Sequence, residues 1–147
     1  MKRIDTLNEW FLREAEEAPV LLSDCALTAE EGWMRAKSGE QVQEVLLREK
    51  KISPEVLLGH TESAQWIAEK DWVYACDFTC IPAENSYLRF GGVDTVAEIW
   101  LNGEKIAEND DMYVPLIVPT GNRLRDRNRL IVRFSSPLRV VRERLAA

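Results

Sequence analysis

The sequence predicts a mainly β fold, an antiparallel sandwich or jelly roll, with one or two short helices in its N-terminal half. Residues 71–80 show the clearest alternation in the chain, with aromatic and apolar residues on one face and a half-polar opposite face. Residues 90–103 are typical of a buried strand that enters a tight hairpin. Further short strands recur at a spacing of about ten residues with turns between them, which favours antiparallel pairing over alternating strands and helices.

The hairpin has a specific turn signal. Ala97 and Leu101 fall on one face of its first strand, whereas Trp100 falls on the other face with Asn102. Asn102 and Gly103 tolerate the positive φ angles of a type I′ turn, which suits the right-handed twist of paired strands. The other predicted β segments are a return strand at 104–107 before an acidic loop at 108–111, then 87–90, 112–118 with an edge or bulge at Pro115, and 128–135.

The beginning of the chain gives a weaker pattern. Residues 1–65 are predicted to be a lead-in segment, with the core strands at 66–137. Near the N-terminus, Trp10 and Phe11 fit helical spacing, whereas residues 20–22 favour a strand. Periodicity therefore leaves the conformation of this first part open.

The rest of the lead-in segment predicts a loop and then a helix. Residues 28–37 carry Trp33 in polar surroundings, which is typical of a loop. A helix is predicted near 39–50, because Ser38 and Gln41 have the spacing of a capping box.

Length and charge narrow the class of protein. The 147 residues fit a single domain, 1–147. The chain has 25 acidic and 19 basic residues and a net charge of −6, which argues against a nucleic-acid partner because such proteins need a basic patch. One local basic run falls on alternate positions, as on the solvent face of a strand: Arg123, Arg125, Arg127, Arg129 and Arg133.

The sequence shows no pattern of a membrane span, a secretory signal or a disulfide. No stretch of about 18 apolar residues predicts a membrane span, and the N-terminus lacks the pattern of a signal peptide. Cys76 and Cys80, on one predicted strand, would lie roughly 13 Å apart, beyond disulfide reach. Together with Cys25 they are expected to be reduced thiols, so we expect a cytoplasmic protein without a membrane partner.

Few residues offer catalytic or metal chemistry. The single histidine, His60, has no nucleophile motif beside it, and a surface or capping role is expected. No metal-ligand spacing or glycine-rich phosphate motif is present, so no cofactor or metal is predicted. The candidate carbohydrate-binding residues are Trp100, Asn102, Asp110 and Asp111.

These candidates each allow two interpretations. Trp100 would either stack on a sugar ring or pack against an adjacent segment or domain. The Asp110-Asp111 pair would either bind a cation or a sugar hydroxyl, or remain solvated.

Taken in order, the strand motifs resemble a known family. DWVYACDF at 71–78 is followed by LRFGGVDT at 88–95, AEIWLNG at 97–103 and NRLIVRFSSP at 128–137. This order is similar to that of the N-terminal domain of glycoside hydrolase family two, and most similar to its β-mannosidase branch. The residues that carry the resemblance are Trp66, Trp72, Tyr74, Phe78, Phe90, Gly92, Asp94, Ala97, Leu101, Gly103 and Asn128.

The resemblance implies a galactose-binding-like jelly roll that precedes an immunoglobulin-like domain and a catalytic (β/α)₈ barrel. In that family the barrel carries two glutamates, acid/base and nucleophile, for retaining hydrolysis. Because a barrel needs about 250 residues, this chain is expected to be non-catalytic. Its expected partners are a carbohydrate and the catalytic barrel of the parent enzyme. The branch's Gly-Trp-Asp-Trp sugar-recognition motif does not follow Pro137.

Two other functions remain open from the sequence. The chain would serve as a free-standing carbohydrate-binding module, with Trp100 and residues 108–111 as its contact surface. Alternatively, it would be a structural or assembly domain, since unpaired strand edges favour pairing with another copy into a homo-oligomer.

Overall fold

The computed structural model shows a two-sheet β-sandwich with three α-helices among the residues that it describes. These are residues 4–15, 25–55, 65–83, 85–93, 96–111 and 113–146. The strands are β1 Glu9–Glu14, β2 Met34–Lys37, β3 Trp72–Thr79, β4 Tyr87–Phe90, β5 Ala97–Leu101, β6 Glu104–Asn109, β7 Leu116–Pro119 and β8 Arg127–Phe134. The helices are α1 Val42–Arg48, α2 Gln65–Ala68 and α3 Pro137–Ala146, and a 3₁₀ helix covers Ala29–Glu31.

The larger sheet has six strands in the order β2-β1-β3-β8-β5-β6, and β4 pairs with β7 in the smaller one. All of these pairs are antiparallel. The central pair, β3 and β8, is in register from Trp72 opposite Phe134 to Thr79 opposite Arg127. This confirms the antiparallel sandwich that the spacing of the strands predicts.

One core lies between the two sheets. Ile99 and Leu130 are fully buried there, and Leu88, Phe90 and Leu116 of the smaller sheet pack against them. Each such aliphatic side chain stabilises the fold by about 1.5–3 kcal/mol. The alternation along β3 and β5 therefore places the predicted inner faces in the sandwich core.

The opposite face of the large sheet is also covered. Val73 and Ala75 are fully buried, and Trp33 packs on them together with Ile131. The sequence predicted a half-polar face here, and its outer part is indeed polar. The centre is apolar because residues 25–33 lie over it.

The predicted loop at 28–37 is wrong in its second half. Residues 34–37 form β2, which pairs with β1 through Trp10 opposite Ala36. Trp33 is only 3% exposed, and the guanidinium of Arg13 lies 5.3 Å from its ring centroid, a cation–π contact. Strand β2 shows no clear alternation in sequence, so its conformation depends on pairing with a neighbour.

The lead-in segment also departs from prediction in two further ways. It supplies two strands of the six-stranded sheet, so the strands are not confined to 66–137. Its helix begins at Val42 rather than near residue 39, and the residue before it, Gln41, has no side-chain cap. Ser38 is not the N-cap: its N–H donates to the Asn8 carbonyl, and Gly39 turns the chain with φ 80°.

The hairpin forms as predicted. Asn102 and Gly103 have φ angles of 51° and 84°, and Leu101 pairs with Glu104 directly across the two-residue turn. The return strand continues to Asn109, and an irregularity in register between Ile99 and Trp100 lengthens it. The acidic loop is therefore shorter than predicted. Strand β7 begins just after Pro115.

Candidate functional site

The side chain of Asn102 joins the hairpin to the closing strand. Its amide nitrogen donates to the Arg123 carbonyl and to Asn128 Oδ1, both at 3.0 Å. Its Oδ1 accepts from the backbone N–H of Arg129 at 2.9 Å. These bonds occupy both amide hydrogens and the oxygen, so Asn102 holds the turn in place rather than presenting a free amide.

Asn128 continues this network beneath the turn. It is 4% exposed, and its Oδ1 accepts from the Arg125 N–H at 2.8 Å. Its Nδ2 donates to the Arg125 carbonyl at 2.7 Å and to Cys80 Sγ at 3.3 Å. A buried asparagine with these partners fixes the backbone of the loop that carries Arg125.

Trp100 lies half-buried on the outer face of the large sheet. It packs against the cluster that Trp33, Val73, Ala75 and Ile131 form. This contact corresponds to the packing interpretation of Trp100. No described residue is a hydrogen-bond partner of the buried indole nitrogens of Trp33 and Trp100.

Asp110 and Asp111 are exposed at the other end of the hairpin. The Asp110 carboxylate accepts from Arg144 of α3 at 2.6 Å, and Asp111 Oδ1 accepts from the N–H of Tyr113 at 2.9 Å. Strand β6 separates them from the turn at Asn102, a distance of roughly 20 Å for six residues. The structure therefore does not bring the four predicted residues together, and their role in carbohydrate binding stays a prediction.

A cleft of about 610 Å³ opens at the turn end of the sheet. Asn102 and Asn128 line this cleft, but most of its charged groups are arginines. In the sequence these arginines are recognisable only as members of the basic run. Its lining residues are Asp77, Phe78, Thr79, Asn102, Arg125, Arg127, Asn128 and Arg129. The volume is in the range of small-molecule sites.

The single carboxylate of this cleft is paired. Asp77 receives two bonds from Arg129, Nε to Oδ1 at 2.6 Å and Nη2 to Oδ2 at 2.8 Å. The same guanidinium donates to the Cys25 carbonyl, so it also ties the covering segment to the sheet. This fork geometry is the strong form of an arginine–carboxylate contact.

A second cleft of about 420 Å³ lies beside β1 and β2. It is more apolar and has one carboxylate, that of Glu9, among its lining residues. The others are Asn8, Trp10, Phe11, Arg35, Ala36, Lys37 and Arg48.

A buried carboxylate organises the opposite end of β8. Asp71 accepts from Arg133 at 3.0 Å, from Arg139 at 2.9 Å and from the N–H of Ser136 at 2.7 Å. The Ser136 hydroxyl donates to the Ala68 carbonyl and accepts from the Arg139 N–H, as an N-cap of α3 does. No local sequence signal predicts this cluster, because Asp71 lies more than sixty residues from each of these arginines and from Ser136.

Two side chains of the inner face have perturbed titration. Burial raises the pKa of the Cys76 thiol to about 12, and the charges of Asp77 and Glu9 act in the same direction. Burial also raises the pKa of Tyr74, whose hydroxyl donates to the Glu40 carbonyl at 2.9 Å. Both groups are therefore neutral near pH 7. None of the three cysteines is joined to another described residue by a disulfide, in agreement with the predicted thiols.

Within the described residues, no cluster of three or more His, Cys, Asp or Glu side chains has the arrangement of a metal site. None of the helices described is long and apolar enough to cross a membrane. The predictions for residues 20–22, His60 and Asp94 lie outside the residues that the structure describes.

Most of the motif residues lie in or beside the strands of the sandwich. Trp66 and Trp72 pack with ring centroids 6.0 Å apart, and Tyr74 meets Phe134 edge-on at 5.6 Å. Ala97 and Leu101 are buried in β5. Phe78 and Phe90 pack against the inter-sheet core, and Gly92 is exposed beyond β4. These residues build the sandwich.

A comparison with family models identifies this sandwich. Residues 10–147 match the model described as "Glycosyl hydrolase 2 galactose-binding domain-like". The chain belongs to this family. The match confirms the resemblance drawn from the strand motifs, and it makes the chain an N-terminal domain of the type found in β-mannosidase-like enzymes of glycoside hydrolase family two.

Curated relatives and a solved structure agree with the family. Beta-mannosidase B of Thermothelomyces thermophilus is 32% identical over 90 residues, which cover 58% of this chain and 10% of that protein. The Beta-mannosidase of Rattus norvegicus is 38% identical over 77 residues, covering 49% of this chain and 9% of that protein. The crystal structure of Beta-D-Mannosidase from Dictyoglomus thermophilum superposes with a TM-score of 0.80 at 28% identity, over 98% of this chain and 17% of that one.

The similarity covers only a small part of each of these longer proteins. The chain spans about a tenth of the length of the curated relatives it matches. A beta-glucuronidase from an uncultured Clostridium species shares the fold, with a TM-score of 0.61 at 16% identity.

Proposed function

We propose that this glycoside hydrolase 2 galactose-binding-like domain is a non-catalytic module that supports a β-mannosidase-like retaining glycosidase by packing against its catalytic barrel. The observation that carries the proposal is the superposition on the Dictyoglomus thermophilum enzyme. Almost the whole chain, 98%, corresponds there to one sixth of a larger mannosidase chain.

The clefts of the chain are compatible with this role. A retaining glycosidase uses two carboxyl groups about 5–5.5 Å apart, on either side of the bond that is cleaved. Each of the two clefts described above has one carboxylate in its lining, Glu9 or Asp77. Asp77 is also held by two hydrogen bonds from Arg129, so its carboxylate oxygens are engaged within the sheet.

The smaller sheet offers a surface for packing against a barrel. Tyr87 of β4 and Ile117 of β7 are 58% and 57% exposed on the side of this sheet away from the core. Tyr113 and Val114, just before β7, are 86% and 56% exposed. A cluster of exposed aromatic and branched side chains is typical of an interaction surface.

Two experiments test the proposal. The isolated chain is assayed with 4-nitrophenyl β-D-mannopyranoside, and no turnover is expected. Turnover that a single Asp or Glu substitution abolishes would refute the non-catalytic role.

The second experiment replaces the corresponding domain of the Dictyoglomus thermophilum enzyme with this chain. The chimera is expected to hydrolyse the mannoside, and Ile117→Lys is expected to reduce its activity and its Tm. Leu145→Lys on α3 is the matched control, since Leu145 is 82% exposed outside this sheet. Equal effects of the two substitutions would contradict the assigned packing surface.

Two further parts belong to this proposal. Trp100, Asn102, Asp110 and Asp111 act as carbohydrate contacts, and the protein works in the reducing cytoplasm.

A further inference from the structure

The cleft at the turn end of the sheet has a charge opposite to that of the chain as a whole. Three arginines, Arg125, Arg127 and Arg129, line it together with one carboxylate, Asp77. The whole chain carries a net charge of −6. A local excess of positive charge in a concave, polar surface attracts an anion.

The three arginines are not equivalent. Arg129 is engaged with Asp77 and with the Cys25 carbonyl, so its charge is largely compensated. No ion pair or side-chain hydrogen bond to another described residue is found for Arg125 or Arg127, and both are exposed. Their guanidinium groups are therefore available to a ligand.

The backbone beneath these two arginines is fixed. The amide N–H and carbonyl of Arg125 both bond to the buried side chain of Asn128, at 2.8 and 2.7 Å. Arg127 begins β8 and lies directly opposite Thr79 of β3. Two guanidinium forks thus project from anchored positions, which lowers the conformational entropy lost when an anion binds.

We propose that this cleft binds the anionic group of a small molecule, a phosphate or sulfate, between Arg125 and Arg127. Tetrahedral oxyanions accept the parallel N–H bonds of guanidinium forks. Phe78 and Thr79 line the same cleft and provide contacts for the remainder of such a ligand. The source is either the free oxyanion or a sugar that carries one.

The test is a calorimetric titration of the whole chain at constant ionic strength. The probes are inorganic phosphate, inorganic sulfate, mannose 6-phosphate and neutral mannose. Saturable binding of phosphate or sulfate is expected, and it should weaken as sodium chloride is raised. Similar affinity for phosphate and mannose 6-phosphate assigns the free anion as ligand, whereas tighter binding of mannose 6-phosphate assigns the anionic sugar.

Variants connect the binding to the cleft. Arg125→Gln and Arg127→Gln are each expected to weaken phosphate binding by about tenfold or more, because each removes a charge-assisted contact. Arg142→Gln is the matched control, since Arg142 is an exposed arginine of α3 at the other end of β8. Unchanged Tm values for all three variants exclude misfolding as the cause.

Two results would overturn the inference: heats that never saturate with any anion, or equal weakening by Arg142→Gln. Neither result depends on whether the chain hydrolyses mannosides, so a failure here is separable from a failure of the proposed function.

Discussion

Asp77 and Arg129 lie directly opposite each other on β3 and β8 and are joined by two parallel hydrogen bonds. The arginine side chain is 13% exposed and the carboxylate side chain 52%. Because Arg129 also donates to the Cys25 carbonyl, one guanidinium connects the central strands to residues 25–33, the segment that covers Val73 and Ala75. It is therefore a structural contact, and it also lines the arginine cleft, that is, the cleft at the turn end of the sheet with Arg125, Arg127 and Arg129 in its lining.

Arg129→Gln is expected to lower the free energy of unfolding by about 1–2 kcal/mol, a modest value because solvent screens the exposed carboxylate. Urea denaturation measures it. The tryptophan emission should shift to the red, because residues 25–33, which include Trp33, lose one of their bonds to the sheet. A variant as stable as the wild type would show that water replaces these bonds without loss.

The Asn102–Asn128 contact predicts a measurable coupling between turn and closing strand. Asn128→Ala should destabilise the chain by about 1–3 kcal/mol, because it leaves partly buried backbone groups of Arg125 without these partners. Asn102→Gly keeps the positive φ at lower strain and removes only the side-chain bonds. A double-mutant cycle of the two is expected to give a coupling of about 1 kcal/mol, and a value near zero would contradict a direct bond.

The sequence predicted those elements whose signal is local. The alternation of β3 and the Asn102-Gly103 turn are encoded within a few residues, and both formed as expected. Strand β8 likewise has its apolar face at Leu130 and Val132, buried as the period of two requires. Short-range patterns of this kind depend only on backbone geometry and on which face is buried.

The rest depends on contacts between distant residues. Strand β2 forms because β1 pairs with it, and nothing in its four residues specifies that partner. The arginine cleft combines residues that are distant in the sequence, from β3, the hairpin turn and β8 with the loop before it. The basic run was therefore the one local indication of this cleft. Asn102 was predicted as a candidate carbohydrate-binding residue. Its hydrogen bonds to Arg123, Asn128 and Arg129 depend on strands and loops that are distant in the sequence.

The contacts of the buried Asp71 attach the first turn of α3 to the sandwich. The helix has no buried residue of its own, so its first turn depends on Asp71 through Ser136 and Arg139. Asp71→Ala is expected to destabilise the chain by about 2–4 kcal/mol. It should also speed amide exchange at Val140, whose N–H bonds to the Ser136 carbonyl.

Two controls separate this attachment from charge alone. Asp71→Asn retains an oxygen for the Ser136 N–H and should therefore lose less stability than Asp71→Ala. Asp110→Asn removes an exposed pair with Arg144, whose side chains are 63% and 61% exposed, and should change stability by no more than about 0.5 kcal/mol. If amide exchange at Val140 were unchanged in Asp71→Ala, the helix would be held by other contacts.

The raised pKa values of Cys76 and Tyr74 predict a loss of stability in alkali. The pKa of Cys76 rises from 9.0 to about 12 on folding, so between these values the unfolded chain releases a proton that the folded chain retains. The unfolded state then binds fewer protons, and the free energy of unfolding falls as pH increases. The contribution of this thiol is fully present below pH 9 and decreases by about 1.4 kcal/mol per pH unit above it.

Urea denaturation from pH 7 to pH 11 measures this slope. Cys76→Ala removes the titrating group and should make the curve flatter above pH 9, although its stability at pH 7 is lower because a buried side chain is shortened. Tyr74→Phe should flatten the curve in the same direction at higher pH, because the tyrosine pKa is also raised by burial. Cys80→Ala is the control for the removal of a cysteine side chain that is only partly buried. A slope that stays the same in Cys76→Ala would mean that the buried thiol does not retain its proton, and the alkaline loss would then belong to other groups.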